Sequence, residues 1–96
     1  PYLAVHAVLQ AALLGVENGY DCPAAEDLDG IENVRATGHV PTSLKKAADA
    51  LDQDRALRDA LGPLLVDALV FIKRDEANRL ATASVDDVRD FYLPFL

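Results

Sequence analysis

The chain has 96 residues, a formal net charge of −7, 51% hydrophobic residues and a single cysteine. An acidic chain without a basic patch is poorly suited to binding nucleic acid or an anionic membrane, and one cysteine cannot form an internal disulfide. The length fits one small domain or a piece of a larger one, and the apolar excess predicts surface that packs against a partner or another part of the same protein. We expect a reducing, cytoplasmic setting.

The first predicted element is a helix from Tyr2 to Val16, in which only His6 and Gln10 are polar. The apolar run is too short to span a membrane and lacks the basic start and cleavage site of a signal peptide. We therefore expect a helix that is buried on nearly all sides. Because the chain has no methionine and starts inside this helix, we also expect it to have been cut from a longer protein.

Residues 18–40 show no sustained helical or strand period and contain Gly19, Pro23, Gly30 and Gly38. This composition predicts one long surface loop. A short strand at residues 32–36 is a weaker possibility.

The second predicted helix begins after a capping hydroxyl, at Thr42 or Ser43. Its apolar residues recur at the spacing of a one-sided helix. They are Leu44, Ala47, Ala48 and Leu51.

A short third helix is predicted to begin at Asp52 or Asp54 and to bury Leu57 and Leu61. Gly62 ends it, because glycine adopts the backbone conformations that terminate helices.

The fourth helix begins at Pro63, a residue suited to the first helical turn, and is expected to run to about Ala81 with Leu65, Leu69 and Ile72 on one face. Ser84 opens a fifth helix, which carries Val88, Phe91 and Tyr92 and stops at Pro94. The predicted fold class is thus all-α, with about five helices and one long loop.

The isolated histidines and the cysteine are weak candidates for chemistry. His6 stands among Leu, Val and Ala without a second ligand at metal spacing, which favours a packed core histidine. His39 is expected to be a solvated loop residue. Cys22 has Asp21 and Pro23 as neighbours, and acidic surroundings disfavour the reactive thiolate.

The charged clusters are also better explained by solvation. The acids from Asp21 to Glu32 lack the spacing of a calcium-binding loop, which favours a solvated acidic loop. Consecutive charges on a helix point in different directions, so Lys73 to Glu76 are expected to form a solvated or interface face. We therefore assign no catalytic, cofactor-binding or metal-ligating residue to the chain.

Several blocks of sequence occur in a fixed order along the whole chain. They are Pro1-Tyr2-Leu3-Ala4, Gly15-Val16-Glu17-Asn18-Gly19, Pro41-Thr42-Ser43-Leu44, Leu61-Gly62, Leu65-Val66-Asp67-Ala68, Lys73-Arg74-Asp75-Glu76 and Tyr92-Leu93-Pro94. In this order and spacing they resemble the C-terminal end of the catalytic domain of the glutamine synthetase family.

The resemblance implies an ATP-dependent ligase that phosphorylates the γ-carboxylate of glutamate and lets ammonia or an amine displace the phosphate. It implies Mg²⁺ or Mn²⁺ ions at the phosphates, an α+β catalytic domain and a homo-oligomeric ring. The family's metal, ATP and glutamate sites all lie upstream of Pro1. Residues 1–96 would be the C-terminal helical part, with no cofactor of their own and with the remainder of the domain as partner.

Two departures from the family pattern favour an amine over ammonia as the acceptor. The stretch Asp29 to Asn33 lacks the tyrosine that is adenylylated in some bacterial glutamine synthetases, and no tryptophan stands near Asp86 or Asp87. The alternatives are a stand-alone helical interaction module and a catalytically inactive relative that keeps the fold.

Overall fold

The computed structural model describes residues 1–23 and 39–95, and these residues form five α-helices. The helices are α1 (Tyr2–Glu17), α2 (Leu44–Gln53), α3 (Arg55–Leu61), α4 (Pro63–Arg79) and α5 (Val85–Tyr92), followed by a 3-10 turn at Leu93–Phe95. No strand occurs within the two described ranges, and the prediction of an all-α chain is confirmed. Most of the acidic stretch from Asp21 to Glu32, and the strand considered at residues 32–36, lie outside the described residues.

The helix starts are fixed by local hydrogen bonds. The Ser43 hydroxyl accepts from the Lys46 N–H at 3.2 Å and caps α2, so of the two hydroxyls considered Ser43 is the cap. Asp54 caps α3, because its carboxylate accepts from the Leu57 N–H at 3.0 Å. Each bond satisfies one of the donors that the first turn of a helix leaves unpaired.

The junction between α3 and α4 depends on a single glycine. Gly62 has φ 97° and ψ 118°, a backbone conformation that residues with a Cβ rarely adopt. Pro63 then occupies the first turn of α4, as expected. The helix ends at Arg79, two residues short of the predicted Ala81.

A small core forms where α2, α3 and α4 meet. Its buried hydrophobic residues are Ala48, Leu61, Val66 and Val70, and Val66 is 1% exposed. Within α4, Val66 and Val70 face this core, whereas Leu65 and Ile72, which the sequence places on one face with Leu69, are 43% and 51% exposed. Because α4 is apolar around most of its circumference, the period could not tell which side faces the core; the Val66–Val70 side does.

The expectation of a first helix that is buried on nearly all sides is wrong for this structure. α1 contains no buried residue and packs against α3, with Ala7 touching the core. Many of its other apolar side chains are exposed, since α3 is the one described helix on which α1 packs. Among the described helices, none combines the length and the apolar character that a membrane span requires.

Candidate functional site

A chain of ion pairs, here called the charge network, links α2, α3 and α4. Arg74 donates from Nε and Nη2 to Asp49 Oδ1, at 3.0 and 2.6 Å, and from Nη2 to Asp52 Oδ2 at 2.9 Å. The other oxygen of Asp52 accepts from Arg58 Nη1 at 3.0 Å, and Arg58 also pairs with Asp67. Each arginine therefore bridges two aspartates. Together the ion pairs join α2 to α4, α2 to α3 and α3 to α4.

The network favours the charged forms of Asp49 and Arg74. Hydrogen bonds from Lys45 and Arg74 hold the pKa of Asp49 below its usual value. Hydrogen bonds to Asp49 and Asp52 raise the pKa of Arg74. Because these charges satisfy one another, the network is suited to fixing helices in place rather than to holding a ligand.

The run from Lys73 to Glu76 does not converge on one point, as expected. Lys73 pairs with Glu76 at 2.9 Å within α4, and Asp75 pairs with Arg79 at 2.7 Å. Arg74 turns the other way, into the charge network. The four consecutive charges thus serve three separate contacts.

Glu76 also joins α4 to α5. Its Oε2 accepts from the Tyr92 hydroxyl at 3.0 Å, beside the two bonds from Lys73 Nζ at 3.0 and 2.9 Å. The Lys73 ammonium, followed by the Tyr92 hydroxyl, lowers the pKa of Glu76. Burial, helped by the neighbouring Glu76 carboxylate, raises the pKa of Tyr92, which stays a neutral donor.

The two histidines and the cysteine that were considered as possible reactive groups are not members of the charge network. His39 is exposed, as expected for a solvated loop residue, and Cys22 is exposed as well. His6 is exposed as well, so in this structure it is not the packed core histidine that the sequence favoured. Within residues 1–23 and 39–95, no group of three or more His, Cys, Asp or Glu residues could hold a metal ion.

A candidate interaction surface is the exposed side of α1, here called the α1 apolar face. Val8, Leu9 and Val16 are 68%, 63% and 81% exposed. The remaining members of this face are Tyr2, Leu3, Val5 and Leu13. A contiguous apolar surface of this kind on one helix is typical of a surface that another protein part covers.

Sequence reasoning missed the charge network, and no periodic signal could have found it. Arg74 is 25 and 22 residues from its two aspartate partners, and the bonds join different helices. Only the packing of α2 on α4 brings these residues together.

Residues 1–92 match the family model described as the catalytic domain of glutamine synthetase. The chain belongs to this family. The resemblance inferred from the ordered sequence blocks is therefore confirmed.

Three curated relatives show the range of the match. The gamma-glutamylpolyamine synthetase GlnA3 of Streptomyces coelicolor is 30% identical over 96% of this chain. Glutamine synthetases of Archaeoglobus fulgidus and Mycolicibacterium smegmatis are 34% and 38% identical over 82% and 79% of it. The chain spans 21%, 17% and 18% of the length of these relatives, about a fifth in each case. No solved structure gives a significant match.

Proposed function

We propose that this chain is the C-terminal helical part of an ATP-dependent ligase that joins the γ-carboxylate of glutamate to ammonia or to an amine. The observation that carries the proposal is the match of residues 1–92 to the glutamine synthetase catalytic domain. Relatives named as a glutamine synthetase and as a gamma-glutamylpolyamine synthetase support both classes of acceptor. The longer protein, here called the whole ligase, would be a cytoplasmic homo-oligomer.

Within the whole ligase, this chain would act as scaffold rather than as catalyst. The described residues do not fit a site for Mg²⁺ or Mn²⁺, because the neighbouring carboxylates of Asp49, Asp52 and Asp67 are engaged by Arg58 and Arg74. ATP, the metal ions and glutamate would be bound by the rest of the catalytic domain. The α1 apolar face would pack against that rest, which explains why so much apolar surface is exposed here.

Among acceptors, we favour an amine. The relative whose match covers 96% of the chain is named for a polyamine acceptor. The chain also lacks a tyrosine between Asp29 and Asn33, where some bacterial glutamine synthetases carry their adenylylation site, and a tryptophan near Asp86 and Asp87.

The test is an assay of the whole ligase for glutamate-dependent phosphate release from ATP. Ammonia and a panel of monoamines, diamines and polyamines serve as acceptors, reactions without glutamate are the control, and mass spectrometry identifies the γ-glutamyl product. Turnover with at least one acceptor is expected. Failure with every acceptor, in a protein that is folded, would contradict the proposal and favour the inactive relative.

The isolated chain provides a second test. Calorimetry with Mg-ATP should show no tight binding, because the nucleotide site would lie in the rest of the catalytic domain. Tight, stoichiometric binding would overturn that assignment.

The α1 apolar face also keeps a second candidate open, a stand-alone helical interaction module. Such a module predicts a cooperative thermal melt and a defined oligomer for the isolated chain. An aggregating or molten chain would favour the ligase part instead.

A further inference from the structure

α5 is attached to the other helices more loosely than they are attached to one another. α2 packs on α4, α1 on α3, and α3 on both α2 and α4, whereas the close backbone neighbour of α5 in the described chain is the 3-10 turn that follows it. Its aromatic contacts stay local too. The rings of Phe91 and Tyr92 are arranged edge-to-face with their centroids 5.0 Å apart, and the ring centroids of Phe91 and Phe95 are 6.3 Å apart.

One side-chain hydrogen bond joins α5 to α4 in the part of the chain that the structure describes, from the Tyr92 hydroxyl to Glu76 Oε2 at 3.0 Å. The acceptor is sheltered, since the Glu76 side chain is only 16% exposed. It is also held in place, because Lys73 donates to both of its oxygens. A bond to a fixed, ionised acceptor is stronger than one between neutral groups, so Tyr92 contributes a large share of the attachment.

The space between α5 and its neighbours includes an open groove. It has a volume of about 430 Å³ and lies between α5, the end of α4 and the start of α2. The apolar lining comes from Leu44, Ala77, Leu80, Ala81 and Val88. α5 therefore does not fill the space beside α2 and α4, and this leaves its packing on them incomplete.

We propose that α5 and the turn Leu93–Phe95 form a strap that opens from α4 while α1 to α4 stay folded, with Tyr92 and Glu76 as its latch. The hinge is the non-helical segment at residues 80–84, between the end of α4 and the start of α5. Opening uncovers Ala77 and Leu80, which are half-buried in the closed arrangement. The strap is defined by contacts within this chain and does not depend on the proposed ligase activity.

Amide hydrogen exchange of the full chain tests the strap. A helix of eight residues is unstable alone, so the α5 amides exchange once the strap opens. In the unmodified chain, α5 should exchange faster than the core of α4. Tyr92→Phe removes the latch and should speed α5 exchange by about tenfold, the factor for losing one hydrogen bond to a charged group, while α2 and α4 are unchanged.

Tyr2→Phe is the matched control, because Tyr2 is 90% exposed and should leave all exchange rates unaltered. Trypsin cleavage after Arg89 gives an independent readout, since the protease needs an unfolded segment: it should accelerate in Tyr92→Phe relative to cleavage after Arg58. Equal exchange of α5 and α4 in the unmodified chain would overturn the proposal. So would an unchanged α5 in Tyr92→Phe, or an equal acceleration in α4.

Discussion

At the scale of single residues, Glu76 makes stability depend on pH. Its pKa lies below the ordinary value of 4.5 in the folded chain, chiefly because Lys73 donates to the carboxylate and secondly because Tyr92 does. A carboxyl whose pKa falls on folding stabilises the fold above the unfolded pKa, and the contribution is lost as the pH falls through the folded pKa.

Glu76→Gln should therefore cost about 1 kcal/mol of unfolding free energy at pH 7, the typical worth of a charge-assisted hydrogen bond in a partly exposed site. The difference from the unmodified chain should shrink once the pH drops below about 4.5. Urea melts at pH 7 and at pH 3 to 4 measure both values. A difference that stays constant across this range would mean that the Glu76 charge does not stabilise the fold.

Arg74 donates three hydrogen bonds to the aspartates of the charge network. Arg74→Lys keeps the charge but loses the planar fork that reaches Asp49 and Asp52 together. We expect Arg74→Lys to unfold at a lower midpoint temperature than Arg79→Lys. The second variant alters only an exposed ion pair with Asp75 within α4. Thermal melts at low and high salt give the comparison. If the two variants melt alike, the network is a solvated surface feature without structural weight.

At the scale of helices, Gly62 sets the angle between α3 and α4. Its φ of 97° is unfavourable for a residue with a Cβ, although no atom lies within 4 Å of the position that a Cβ would take. Gly62→Ala should thus cost about 1–3 kcal/mol through backbone strain alone. Gly15 in α1 also has open space but carries a helical backbone, so Gly15→Ala should stabilise by up to about 1 kcal/mol. Denaturant melts in which both variants change the unfolding free energy in the same direction would contradict this account.

The helix ends could be predicted from the sequence because their causes are local. Ser43, Asp54, Gly62, Pro63 and Ser84 act within three or four residues, and each stands where the structure places a helix boundary. Ser84 even forms a reciprocal pair with Asp87, which accepts from the Ser84 N–H at 3.0 Å. Such contacts require no knowledge of the rest of the fold.

The buried faces could not be predicted, because the choice depends on distant parts of the chain. α1 and α4 are apolar on several sides. In α4, the spacing of apolar residues is therefore as compatible with a buried Leu65–Ile72 side as with the buried Val66–Val70 side that the structure shows. The pairing of Arg74 with Asp49 and Asp52, which joins α4 to α2, appears only after the helices pack. The prediction that His6 lies in a core failed for the same reason, because the packing of α3 on α1 determines which side of α1 is covered.

At the scale of the whole molecule, the chain buries very little of its apolar content. Four hydrophobic residues are buried in the described structure, and the α1 apolar face is left in contact with solvent. Burial of apolar surface is the main favourable contribution to folding, so a core of this size gives limited stability. The exposed face therefore offers a way to distinguish a ligase part from a stand-alone module.

Replacing Val8 and Leu9 together by Gln tests what covers the α1 apolar face. Both side chains are more than half exposed, at 68% and 63%, so the isolated chain should keep its helix content, bind less of a hydrophobic dye and associate less. The whole ligase should respond in the opposite direction, with lower stability and yield, because the same two positions would be buried there and a buried amide without a partner is costly. Val66→Ala is the control, since this core residue should destabilise both proteins. A whole ligase that tolerates the Gln pair as well as the isolated chain does would show that the face stays in water, and the interaction-module interpretation would replace the scaffold one.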